Sequence, residues 1–121
     1  MTESYDEDFI LTNYVWEHYS HLFTEFERKV SNRIIFEMKT RHTPPEVREK
    51  RFKLFLGELD SAVTSALEEG HWEYLRRVRD RALAEVPDKV HINRCPQCQR
   101  IVRTPRARQC LWCHHDWHGS A

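Results

Sequence analysis

Cys95-Pro96-Gln97-Cys98 and Cys110-Leu111-Trp112-Cys113 are two identically spaced pairs, and between them they hold all four cysteines of the chain. Two C-x-x-C steps supply four thiolates, the donor set of a tetrahedral zinc ion. The inner cysteines, Cys98 and Cys110, are separated by eleven residues, room for a strand, a turn and a return. Four filled ligand positions make a structural site: it holds a small fold together and leaves no open position for chemistry. One structural Zn²⁺ per chain on Cys95, Cys98, Cys110 and Cys113 is therefore expected. Iron suits the same donors chemically, and two disulfides are the alternative in an oxidising compartment.

Working outward, the cysteine segment closes a chain of 121 residues with zero formal net charge. That neutrality hides an asymmetry. Residues 1–87 hold 13 Lys and Arg against 17 Asp and Glu, while residues 88–121 hold 6 against 2. The composition divides the chain into a helical domain, 1–87, and a basic metal module, 88–121. The N-terminus, Met1-Thr2-Glu3-Ser4-Tyr5-Asp6-Glu7-Asp8, is acidic and lacks the basic and apolar regions of a signal peptide. No stretch approaches the ~20 apolar residues that span a bilayer. A cytoplasmic protein without a membrane partner is expected, with its thiols on metal.

Residues 1–8 read as frayed. From Phe9, the positions Leu11, Val15, His18 and Leu22 fall on one helical face with Tyr14 beside them. Thr24 and Glu27 form a capping-box signature for a second helix, whose stripe is Phe26, Val30, Ile34 and Met38. Thr43-Pro44-Pro45-Glu46 marks the start of a third, with Thr43 as N-cap and Pro44 in the first position. Gly57 favours a break in the mid-fifties, with Asp60 capping a short helix that ends at Gly70. One long helix over 44–69 is the alternative, because Ala62, Val63, Ala66 and Leu67 continue the stripe. A last helix covers about 71–85, with Trp72, Leu75, Val78 and Ala82 inward, and Pro87 stops it. In the tail, residues 90–92, 101–103 and 116–118 read as three short strands. No internal repeat is visible. The expected fold is mainly α: four to five helices with a C-terminal three-stranded four-cysteine zinc ribbon.

Residues 90–118 resemble zinc ribbons of the rubredoxin-like kind. Such knuckles usually carry Gly after each cysteine pair, where Gln99 and His114 stand in this chain; those positions often need positive φ. The run from Arg103 to His118 also resembles the end of small bacterial proteins with a helical front half. That resemblance implies an architecture and brings no activity with it.

Four sulfurs leave little for catalysis. His18 with His21, and Glu68 with His71, are isolated pairs; a di-iron bundle needs two E-x-x-H motifs and two further glutamates. No phosphate loop or hydrolase motif is present, so the chain reads as non-enzymatic. Arg94, Arg100, Arg103 and Arg108 lie close enough to offset the charge of a four-thiolate zinc. With Arg106 they are also candidates for phosphate or partner contact, and Trp112 for base stacking. Trp112 and Trp117 read first as packing beside the metal. His114, His115 and His118 crowd the second knuckle, where one of them is an alternative ligand. Arg76, Arg77, Arg79 and Arg81 read as a solvated helix face. The favoured function is a protein-interaction adaptor, regulator or inhibitor, with nucleic-acid binding through the Arg-rich tail as the alternative. The many large apolar residues of the first two helices leave a homodimer open.

Overall fold

A computed structural model describes residues 4–119. Five α-helices follow one another: α1 Glu7–His18, α2 Glu25–Thr40, α3 Pro45–Leu56, α4 Ser61–Ala66 and α5 His71–Glu85. Short 3₁₀ turns occupy Ser20–Leu22 and Pro87–Lys89. The mainly helical reading and the number of helices hold.

The caps explain where most of these helices begin. Thr24 accepts the Glu27 N–H and Glu27 reaches back to the Thr24 N–H, so the expected capping box is complete. Asp60 accepts from the N–H groups of Ala62 and Val63 and starts α4. Gly57, at φ 78°, ends α3 in a conformation that a side chain resists. Residues 44–69 therefore hold two helices, and the second ends at Ala66, short of the expected end at Gly70. Helix α3 starts one residue later than expected: Pro44 is its N-cap, and no side chain caps it. The expected fraying of residues 1–8 is corrected for 4–8. Asp6 caps α1 by accepting from Phe9 N–H; residues 1–3 lie outside the described ones.

The apolar stripes need a correction of their own. In α2, Val30 and Ile34 are buried, whereas Phe26 is 41% exposed and Met38 61% exposed. Steps of four turn a helix by about 400°, so a stripe written in fours drifts about 40° per step off any fixed face. Glu27, Phe36 and Thr40 are buried in α2 instead. In α1 the buried residues are Thr12, Tyr14 and Val15.

By packing, the chain divides into two compact units: residues up to Leu22 together with those from Arg79 onward, and residues Phe23–Val78. The change of composition at residue 88 falls inside the first. In that unit Arg79 is buried, which corrects its reading as part of a solvated face. Its guanidinium bonds the carboxylates of Asp8 and Asp80 and the Thr12 hydroxyl.

The three-stranded ribbon is not seen. Among the described residues there is no strand, only two isolated antiparallel bridges, Arg94–Ile101 and Gln109–Asp116. The physical reason is where the backbone groups of the first expected strand find partners. The His91 carbonyl accepts from the Tyr14 and Tyr19 hydroxyls at 2.6 and 3.2 Å. Those same hydroxyls accept the N–H groups of Asn93 and His91 at 3.2 and 3.0 Å. Two tyrosines, one on α1 and one just after it, take the place of a neighbouring strand, and buried backbone groups need only one set of partners.

Candidate metal centre

Each cysteine pair builds its own turn, and the two turns are the same turn. The Cys95 N–H donates to the Arg100 carbonyl and the Gln99 N–H to the Cys95 carbonyl, both at 2.9 Å. Fifteen residues on, Cys110 N–H donates to His115 O at 2.9 Å and His114 N–H to Cys110 O at 3.0 Å. The outer bonds match as well: Val102 N–H to Asn93 O, and Trp117 N–H to Arg108 O. The bridges Arg94–Ile101 and Gln109–Asp116 complete the correspondence. A structural repeat is thus present that the residue types conceal. Gln99 and His114 stand at φ 67° and 66°, the left-handed conformation that glycine takes most easily. The absence of glycine does not prevent the turn.

These turns aim the sulfurs inward. Cys95 Sγ accepts from the Gln97 and Cys98 N–H groups, both at 3.4 Å. Cys110 Sγ accepts from Trp112 and Cys113 at 3.3 and 3.5 Å. Such donors spread the negative charge of a thiolate. All four sulfurs lie within 4.8 Å of one another. Cys95–Cys113 and Cys98–Cys110 are each 3.6 Å apart. A tetrahedron of ~2.3 Å metal–sulfur bonds has edges of about 3.8 Å, so the donor set fits one such ion. A disulfide needs about 2.05 Å, and all four cysteines are free.

The protonation of the cluster points the same way. Burial opposes the Cys95 thiolate, but the Cys98 and Gln97 N–H groups and the nearby thiols outweigh it and bring its pKa down to about 7. The His115 N–H favours the Cys113 thiolate, yet burial and the three other sulfurs push that pKa up to about 11. A cation bound among the sulfurs would favour their ionised forms.

Around the sulfurs, Val102 is buried with Cys95 and Cys110, and Trp112, Trp117 and Ala107 pack against them. The expected packing role of the two tryptophans holds. The N-terminal segment, invisible to sequence reasoning as part of the site, also reaches it. Tyr5 sets its ring edge-on to Trp112 at 5.0 Å and accepts the Ile101 N–H at 2.9 Å. Burial raises the Tyr5 pKa, which keeps the phenol neutral. Glu7 pairs with Arg94 at 2.6 Å, and hydrogen bonds from Arg94 and Tyr5 hold its carboxyl below the ordinary range. The available signal was the charge asymmetry: acids at the start of the chain find arginines near its end.

The other nominated residues separate. Arg94 is committed to Glu7 and to the Gln99 carbonyl. Arg100 lies over the Tyr5 ring at 5.6 Å. The Arg108 guanidinium reaches the His118 carbonyl. Arg103 and Arg106 are exposed. Trp112 donates its indole N–H to the Ile101 carbonyl at 3.3 Å. Among the described residues the metal-spaced cluster contains cysteines alone. His115 stacks on Trp117 and His118 bonds Asp116.

Comparison with protein-family models, with curated proteins and with solved structures gives no match to this chain. Among the described residues no helix is long and apolar enough to cross a membrane.

Proposed function

We propose that this protein is a non-enzymatic, cytoplasmic zinc-binding adaptor, regulator or inhibitor that works by protein–protein contact. The observation that carries the proposal is the closed donor set: four sulfurs at tetrahedral spacing leave a bound Zn²⁺ no place for a substrate. On this reading the ion fixes the two knuckles, and the chemistry of the protein is recognition. The likeness to rubredoxin-like sites then rests on the metal turns themselves, without a ribbon.

Two measurements test this. Protein purified without chelator should contain one zinc per chain, and Cys98→Ser should lose it. Material with no stoichiometric metal and with cystines on peptide mapping overturns the zinc reading. Tagged full-length protein crosslinked in its native cell, with and without nuclease, tests the partner class. Captured protein that survives nuclease supports the interaction reading, and loss of all captured material overturns it.

Nucleic acid is the second reading, and the exposure of Arg103 and Arg106 favours it. Phosphate contacts of that kind would make affinity fall steeply between low and physiological salt. The commitment of Arg94 to Glu7 and of the Trp112 indole to Ile101 weighs against it.

A further inference from the structure

Within the unit Phe23–Val78, α2 and α3 leave an open trough between them. Its cavity measures about 1120 Å³, with Phe36 of α2 and Phe52 of α3 in its walls and Leu59 beyond the end of α3. A smaller cavity of about 150 Å³ shares Phe52 as a wall and continues past Phe55. The trough explains an oddity of α3, which has no buried residue although it is twelve residues long. Phe52 meets Phe36 edge-on at 5.4 Å. Beyond it, Phe55 is 70% exposed and Leu54 76% exposed.

The shape narrows what can lie there. On the α2 side the lining runs from Lys29 to Arg41, which at the ~1.5 Å rise of a helix is about 18 Å. Small-molecule sites enclose most of their ligand, typically in ~300–1,000 Å³. This trough is longer, larger and open to solvent. Its walls are helices whose backbone groups are already paired along the helix, so it offers no strand edge to a peptide. An apolar trough between two helices suits the apolar face of a third.

The charges narrow it further. Four basic and two acidic side chains line the larger cavity. Arg33 is committed to Glu37 and lies over the Phe52 ring. Lys53 faces Glu49 at 4.0 Å. Arg41 and Arg48 have no carboxylate partner among the described residues. Glu58, which lines both cavities, has no basic partner among the described residues either, so the lining is left with an excess of one positive charge, carried by Arg41 and Arg48.

We infer that the α2–α3 trough is the docking site for an acidic amphipathic helix of a partner protein. The partner places apolar residues at i, i+3 or i+4, and i+7 against Phe36, Phe52 and Leu59, and its carboxylates meet Arg41 and Arg48. This inference rests on the protein-interaction reading above and gives it a surface and a partner chemistry.

The test is a selection against the full-length, zinc-loaded protein from a displayed library of ~16-residue helix-forming peptides. Enriched peptides should carry the apolar spacing with flanking Asp and Glu. Their amide perturbations should fall on α2 and α3, not on residues 93–117. The double variant Arg41→Glu, Arg48→Glu lies on exposed or half-exposed positions and should keep the fold. It should weaken the acidic peptides by about tenfold or more and turn the selection toward basic ones. A merely damaged protein would lose binding without that reversal. No enrichment, enrichment without acidic bias, or indifference to the charge reversal overturns the inference. So does filling of the trough by a fatty acid in preference to the peptides, or by a second copy on sedimentation. If the trough fails while nuclease-resistant crosslinking persists, the interaction reading stands and only this surface falls.

Discussion

Gln99 and His114 occupy equivalent places after the two cysteine pairs, each with a side chain at a backbone angle that glycine tolerates best. A left-handed residue with a Cβ costs about 1–2 kcal/mol. Gln99→Gly and His114→Gly should each raise the stability of the metal-loaded protein, by about 0.5 kcal/mol once the freer unfolded chain is counted. Denaturant melts at fixed zinc concentration check this. The residues most informative about the fold were legible: four cysteines at a fixed step announced a shared cluster of metal-binding spacing before any geometry was known. Tyr14 and Tyr19 were not, because a tyrosine on a helix face reads as apolar area and its hydroxyl has no periodicity. Tyr14→Phe leaves the Asn93 N–H without its partner, while the His91 carbonyl keeps the Tyr19 hydroxyl alone. The expected loss is about 1–3 kcal/mol, with faster hydrogen exchange at Asn93 as the second readout.

At the level of elements, local chemistry was a better guide than periodicity. The Thr24–Glu27 box, the Asp60 cap and the Gly57 break depend on one to four neighbouring residues, and all three stand as read. The stripe of α2 depends on a phase kept over twelve residues, and there the drift of the helix defeats a pattern written in fours. The strands failed for another reason. A strand is a relation between segments, and the segment at 90–92 is paired by side chains that lie more than seventy residues away. Thr24→Ala should cost about 1 kcal/mol through loss of the cap. Met38→Lys, though placed on the same expected stripe, should stay within about 0.5 kcal/mol of the parent because that position is exposed. Parallel urea melts of the two variants decide between stripe and cap as the source of α2 stability.

For the molecule as a whole, a metal held by the four cysteines would be the dominant lever. Among the described residues no strand holds 93–117, so metal binding there would be folding free energy. Chelation should release those amides to exchange while the helical signal of α2, α3 and α4 persists in circular dichroism. Acid should do the same, because each ligand must lose a proton before it binds and falling pH returns those protons. Zinc release on titration from pH 8 to pH 5, followed with a chromophoric chelator, measures the effect. The Glu7–Arg94 pair adds a smaller slope of the same sign. Its carboxyl sits below the ordinary value in the folded state, so its contribution is present above that value and is lost as pH falls through the folded one. With both side chains partly exposed the contribution is under about 1 kcal/mol. The helical architecture and the four-cysteine cluster could be read from the chain because each rests on near neighbours. The assignment of the N-terminal Tyr5 and Glu7 to the knuckles could not, since nothing local records a bond across ninety residues.

Within each knuckle the leading thiol, Cys95 or Cys110, is fully buried, while the trailing one, Cys98 or Cys113, is partly open. An electrophile approaching from water therefore meets only the trailing members. Brief exposure to iodoacetamide should alkylate Cys98 and Cys113 first, and mass spectrometry of early time points should find chains carrying two labels before any carries four. A bound ion would thus be lost by attack on the same rung of both turns, leaving Cys95 and Cys110 shielded until the loops themselves come apart.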